Sequence, residues 1–277
     1  MSVIINTNIG ATVTSKNLAT NQRQMDRVME KISSGKKTIY ASDDAAGIAI
    51  ANKMEAQIRA LTHNVGQSRE GKSIVAASEG AMQEVEKILQ RMRELAVASA
   101  SGTVTSSDKD FLNIEMTSMV NEIEQISTNT TYNGSQLLRG DQFTFFADTH
   151  LDGLNIKTVS ADMAVTSLGV PAGTVNIGGS VAQSDLDTVV NVIDNAILTV
   201  NTKRAHLGAV SNRFDHIMSN LQNVINNTVR SKSNIIDADF SSETTQLTRR
   251  SVVQQGATSM LAQANSQKNL VLSLFQQ

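Results

Sequence analysis

The chain has 277 residues and a formal net charge of −2, so one or two domains are expected and neither nucleic acid nor an anionic membrane is indicated as a partner. Its 40% hydrophobic fraction is carried by Ala, Val, Ile, Leu and Met, with no Trp. Cysteine is absent, which excludes disulfides, thiolate catalysis and cysteine-type zinc sites. No run approaches the roughly 18 apolar residues of a transmembrane helix. Met1–Asn6 has neither the basic region nor the apolar core of a signal peptide, so composition alone reads as cytosolic.

In chain order, a loose heptad of Ala11, Leu18, Met25, Met29 and Ile32 predicts a first helix from Asn6 to Ile32, with Gly35 as its C-cap. Lys36 to Ser42 reads as an extended link, and Asp43-Asp44 as the start of a second helix. That helix carries Met54, Ile58, Leu61 and Val65, slips register near Gly66 and Gly71, and resumes through Ile74, Ala81, Val85, Ile88, Met92 and Leu95. Ser107 or Asp108 is expected to cap a third helix with the seam Leu112, Met116, Met119, Ile123 and Ile126. Residues 133–185 hold seven of the sixteen glycines and the only proline, Pro171. This is the expected β region, with strands at Phe143–Phe146, Leu154–Val159 and Thr174–Ile177, after turn chemistry at Thr130–Gly134.

From Leu186 a 4-3 spacing runs through Val190, Ile193, Ile197, Val200, Arg204, Leu207, Ser211, Phe214, Met218, Leu221, Ile225 and Thr228; ten of these thirteen positions are apolar. Such a seam is buried only against other helices. A last helix follows, with the seam Val253, Ala257, Met260, Ala264, Gln267, Val271 and Leu274. The expected fold is mainly α: a long antiparallel helical coiled-coil or bundle rod with a small β region mid-chain. The N-terminal helix is expected to pair with the C-terminal one. That pair has small and polar core slots, and both ends are expected to order only against neighbours.

Several stretches resemble bacterial flagellins. Ser33-Ser34-Gly35 followed by Ser42-Asp43-Asp44-Ala45-Ala46-Gly47-Ile48-Ala49-Ile50-Ala51-Asn52 is similar to the family's N-terminal signature. Leu89–Val97 and Tyr132-Asn133-Gly134 resemble internal signatures, and Met260–Asn265 with Val271–Leu274 resembles the C-terminal one. One departure is Ser266-Gln267-Lys268, where flagellins often carry proline. The resemblance implies a subunit that polymerises with itself into the flagellar filament, exported unfolded through the flagellar type III channel and therefore extracellular. Implied partners are the flagellar cap, the hook-associated junction proteins and an export chaperone that binds the C-terminus. It further implies an inner-core layer from residues 1–42 and 234–277. The outer rod then comes from 43–132, 133–185 and 186–233. Separately, the position of the middle segment at the rod's turn makes it, with Pro171, Gly178 and Gly179, a candidate supercoil switch. A hook–filament junction protein and a secreted adhesin or immune ligand are the alternative readings.

The expected self-assembly residues are Leu18, Met25, Met29, Ile32, Val253, Ala257, Met260, Ala264, Val271 and Leu274. Arg91, Leu95 and Glu115 match positions through which many flagellins bind a host Toll-like receptor, although Ala98 stands where a longer polar residue is common. Arg204, on its apolar seam, is either a snorkelling side chain or a register-setting charge paired with Glu79, Glu84 or Glu86. The family also implies glycosylation of exposed Ser or Thr, with Thr158, Ser160, Thr166, Ser167, Thr174 and Ser180 as candidates. His63, His150, His206 and His216 lack metal-ligand spacing, and no catalytic motif is present, so no cofactor, metal or enzyme activity is expected.

Overall fold

The computed structural model describes residues 7–141, 143–146, 155–157, 162–179 and 181–274, with backbone alone at 146, 155–157, 183 and 268–274. Six helices, α1 (Ile9–Ser34), α2 (Ala45–Ser99), α3 (Ser106–Asn129), α4 (Val165–Leu168), α5 (Gln183–Ile236) and α6 (Phe240–Leu274), account for most of these residues. Four short strands are β1 (Thr131–Tyr132), β2 (Ser135–Gln136), β3 (Thr144–Phe146) and β4 (Asn155–Lys157). The chain forms two compact units, residues 57–226 and residues 1–56 with 227–277. The expected architecture of long helices with a small β region holds.

The 57–226 unit is built on α2, α3 and α5. Every seventh residue of α5 from Leu186 to Leu221, passing through Ile193, Val200, Leu207 and Phe214, is buried. This is the innermost line of the expected heptad; Val190, Ile197 and Met218 flank it, half-buried. On α2 the buried line is Leu61, Val65, Ser68, Gly71, Val75, Ser78, Met82, Val85, Leu89, Met92 and Ala96. Val65, Ser68 and Gly71 are two successive three-residue steps, which is the expected register slip, yet burial does not lapse there. Small residues continue the seam because bulk comes from across it: a Cβ on Gly71 would lie 2.6 Å from the Phe214 ring. Each buried Leu, Ile, Met or Phe contributes about 1.5–3 kcal/mol. Ala81 and Ile88, expected on the seam, are half-buried beside it.

α3 begins two or three residues earlier than expected. Thr105, rather than Ser107 or Asp108, is the N-cap, and Asp108 returns the bond in a capping box. The core face of α3 is Met116, Val120, Ile123 and Ser127. Leu112, Met119 and Ile126 pack partly buried against the same core.

The central region is less β than expected. Asn133 (φ 49°) and Gly134 (φ 84°) form a two-residue turn joining β1 to β2 in an antiparallel hairpin. β3 pairs antiparallel with β4; Leu154, Thr158 and Val159 lie outside the described residues. Phe145 of β3 meets Phe214 edge-to-face, with centroids 5.7 Å apart. Thr174–Ile177 is not a strand. Its alternation is real, since Val175 and Ile177 are buried, but the Thr174 and Val175 amides turn back to the Pro171 carbonyl (2.8 and 3.3 Å), and the Ile177 end bonds to side chains instead of a neighbouring strand. The Ile177 amide donates to Asn113 Oδ1 (3.0 Å), the Gly179 amide to Asp110 Oδ1 (2.8 Å), and Ser99 Oγ to the Ile177 carbonyl (3.1 Å).

Arg204 takes the sharper of its two expected roles. Its guanidinium contacts Glu86 directly and lies 3.9 Å from Glu79, while Glu84 pairs with Lys87 (2.8 Å). The pair is half-buried, and Arg204 Nε has no hydrogen-bond partner, so the charge is held by two carboxylates of α2.

In the other unit, Asp44 accepts from the Gly47 amide (2.9 Å) and caps α2, as expected. Gly35, at φ 68°, ends α1. The links on either side of the helices run antiparallel: the Lys37 amide donates to the Ile236 carbonyl (2.7 Å) and the Ala238 amide to the Gly35 carbonyl (2.9 Å).

Candidate functional site

The candidate site is the pair formed by α1 and α6. The two helices pack antiparallel, because Asn8, Asn21 and Lys31 meet Ala264, Arg250 and Glu243 respectively. On α1 the inward residues are Ala11, Thr14, Leu18, Asn21, Met25, Val28 and Ile32; on α6 they are Glu243, Leu247, Arg250, Gln254, Ala257, Leu261 and Ala264. Both sets follow 4-3 spacing, so each helix supplies one heptad stripe. Leu18, Met25, Ile32, Ala257 and Ala264 therefore stand where the sequence places them. Val271 and Leu274 lie in α6 with side chains outside the described residues.

Three expected seam residues are not in the seam. Met29 is 49% exposed, Val253 49% and Met260 65%. In each case the adjacent residue takes the inward position: Val28 for Met29, Gln254 for Val253, Leu261 for Met260. The physical reason is polar pairing across the interface. Asn21 Nδ2 donates to the Arg250 carbonyl (2.8 Å), Gln254 Nε2 to Gln22 Oε1 (2.7 Å), and Asn8 Nδ2 to the Ala264 carbonyl (3.0 Å). These bonds fix rotation and register, and an apolar count along one helix cannot reveal them. The heptad read from sequence puts Ser15 and Gln22 in its polar slots; Thr14 and Asn21 hold those places instead.

The seam is only partly satisfied. Glu243 is 8% exposed, with Lys31 3.9 Å away, and its Oε2 has no hydrogen-bond partner; neither does Asn21 Oδ1. A buried polar atom without a partner costs about 1–3 kcal/mol. At the α1–α2 link, Asp43 accepts from the amides of Tyr40 (3.2 Å) and Ile39 (3.3 Å), which hold its carboxyl below the usual carboxylate range.

The three positions matched to receptor contacts separate. Arg91 Nε and Nη2 donate to Glu115 Oε1 (3.1 and 3.0 Å) and Nη1 to Glu94 Oε2 (3.0 Å), all on the surface. Glu115 first and Glu94 second stabilise the guanidinium and raise its pKa. Leu95 is 3% exposed and packs in the core of the 57–226 unit, so it offers no accessible surface in this fold. Glu94 completes the surface cluster and was not singled out from sequence. Of the glycosylation candidates, Thr166, Ser167 and Thr174 are exposed, and Thr158, Ser160 and Ser180 lie outside the described residues.

Among the described residues no helix is long and apolar enough to cross a membrane, and no group of three His, Asp or Glu is placed to hold a metal ion. A long-helix bundle, together with a terminal helix pair whose seam mixes polar with apolar residues and whose outer faces expose Met29, Val253 and Met260, defines a structural protein made for packing against other helices.

Comparison with known proteins is specific. Residues 5–142 match the bacterial flagellin N-terminal helical region, and residues 190–275 the bacterial flagellin C-terminal helical region. The chain is 36% identical over 273 residues to a flagellin of Halalkalibacterium halodurans, covering 99% of this chain and 100% of that one. It is 35% identical to a flagellin of Bacillus subtilis over 304 residues, covering 98% and 99%. A solved structure assigned to a flagellar hook-associated protein of Vibrio parahaemolyticus shares the fold. There the TM-score is 0.61 at 17% identity, over 70% of this chain and 100% of that one. The chain belongs to the bacterial flagellin family, the structural subunits of the flagellar filament, and is not an enzyme.

Proposed function

We propose that the chain assembles with copies of itself through the outward faces of the α1/α6 pair. The observation that carries this reading is the exposure of Met29, Val253 and Met260, with Ile9, Val13 and Val252, on helices whose own seam is rich in polar residues. A pair stabilised weakly from within gains most from covering such faces. Residues 1–42 and 234–277 are then the inner core and 43–132, 133–185 and 186–233 the outer rod, with the middle segment as supercoil switch. The subunit leaves the cell unfolded through the flagellar export channel with a chaperone on its C-terminal helix. Outside, it meets the filament cap and the hook-associated junction proteins, and the Arg91–Glu115 cluster is the surface offered to a host Toll-like receptor.

The test is seeded elongation, read by negative-stain microscopy, of the full chain beside a variant lacking Leu247–Gln277. The expected result is long filaments from the full chain and none from the truncation. A full chain that never elongates on seeds would refute the reading in favour of a junction protein or a monomeric binding module.

A further inference from the structure

Among the described residues the methionines fall into distinct environments. Met82, Met92, Met116 and Met163 are buried at 0–1% exposure in the 57–226 unit. Met25, Met54, Met119 and Met218 are half-buried. Only Met29 and Met260 stand well exposed, both on α1 or α6 and both turned away from the seam that joins those helices. Cysteine, which would compete for oxidants, is absent.

We propose that Met29 and Met260 are oxidation sites through which a hydroperoxide controls assembly of the subunit. The proposal rests on the self-assembly reading above for its consequence, though not for the sites themselves. In the step, a thioether sulfur attacks one oxygen of hydrogen peroxide. An S–O bond forms as the O–O bond breaks; the sulfur loses two electrons, and the peroxide is reduced to water. The product is a sulfoxide, which turns a flexible apolar side chain into a polar one with a strong acceptor oxygen. On a solvated face this costs the folded subunit little. On a face that must be dried against a neighbour, the sulfoxide oxygen loses its water, and Val253 flanks Met260 one heptad away with no donor to offer. The four core methionines are closed to peroxide, so oxidation at Met29 and Met260 does not reach the core of the 57–226 unit. Met25, half-buried on the seam, is expected to react at a rate between those of the exposed and the core methionines.

The experiment treats the full-length folded subunit with dilute hydrogen peroxide, maps sulfoxides by peptide mass spectrometry, and measures the critical concentration for elongation on untreated seeds. Expected are oxidation of Met29 and Met260 at least about fivefold faster than of Met82, Met92, Met116 and Met163, and a critical concentration raised by roughly tenfold. Methionine sulfoxide reductase should restore elongation; Met29→Leu/Met260→Leu, compared with its own untreated sample, should show no further rise in critical concentration on peroxide treatment, whatever its starting value; and preformed filaments should protect both sites. Uniform oxidation, unchanged elongation of the oxidised protein, or equal peroxide sensitivity of the double variant would overturn the proposal. Failure of the untreated protein to elongate would instead remove the self-assembly reading beneath it, which the peptide map is independent of.

Discussion

Gly71→Ala should invert the usual effect of removing a glycine from a helix. In an open helical position the replacement stabilises by about 0.5–1 kcal/mol, because alanine loses less backbone freedom. Gly66 and Gly80, on the same helix, are such positions: a Cβ at either meets no heavy atom within 4 Å. At Gly71 the added carbon would lie 2.6 Å from Cζ of Phe214, 3.0 Å from its Cε1 and 3.2 Å from Cδ2 of Phe145. Phe214 is fully buried and braced edge-on by Phe145, so its ring has no free direction in which to yield. Overpacking of this kind costs about 1–3 kcal/mol, which exceeds or cancels the propensity gain. The gap between Gly71→Ala and Gly66→Ala isolates that penalty, since both carry the same backbone term. Urea unfolding followed by far-UV circular dichroism would measure it as a difference in midpoint at constant slope. Gly71→Ala with Phe214→Leu should recover part of the loss, because the shorter side chain vacates the contested space. Equal midpoints for Gly71→Ala and Gly66→Ala would refute the argument that the ring requires the glycine.

Arg204→Ala leaves the half-buried Glu86 without its cation and should destabilise by about 1–3 kcal/mol, whereas Arg204→Leu with Glu86→Leu should recover most of that in the same unfolding assay. At acid pH, Asp43 and Asp108 supply the sign. Amides of Tyr40 and Ile39 lower the first, and the Thr105 hydroxyl and amide lower the second. A carboxylate depressed in the folded state gives its full stabilisation above the ordinary aspartate range and loses it as pH falls through the depressed value. Asp43→Asn and Asp108→Asn should therefore lower stability at neutral pH and flatten its decline as pH falls below the ordinary aspartate range, measured by melting temperature against pH.

The sequence by itself determined the five long helices, the start of α2 at Asp44 and the end of α1 at Gly35, and that α1 and α6 belong together. Heptad spacing and helix-ending glycines are local, and the Leu186–Thr228 seam is regular enough that each burial follows from the one before it. Family membership was legible for a related reason: the signatures lie in those same helices, in fixed order. Tertiary structure alone decided the rotation of the terminal pair. Val28 or Met29, Gln254 or Val253, and Leu261 or Met260 are each one residue apart, and the choice was made by Asn21, Gln22 and Asn8 finding partners more than 200 residues away. It also decided that Thr174–Ile177 is held by Asn113 and Ser99 in place of a strand. Periodicity reports that one face of a segment is covered; only the neighbouring chain supplies the cover.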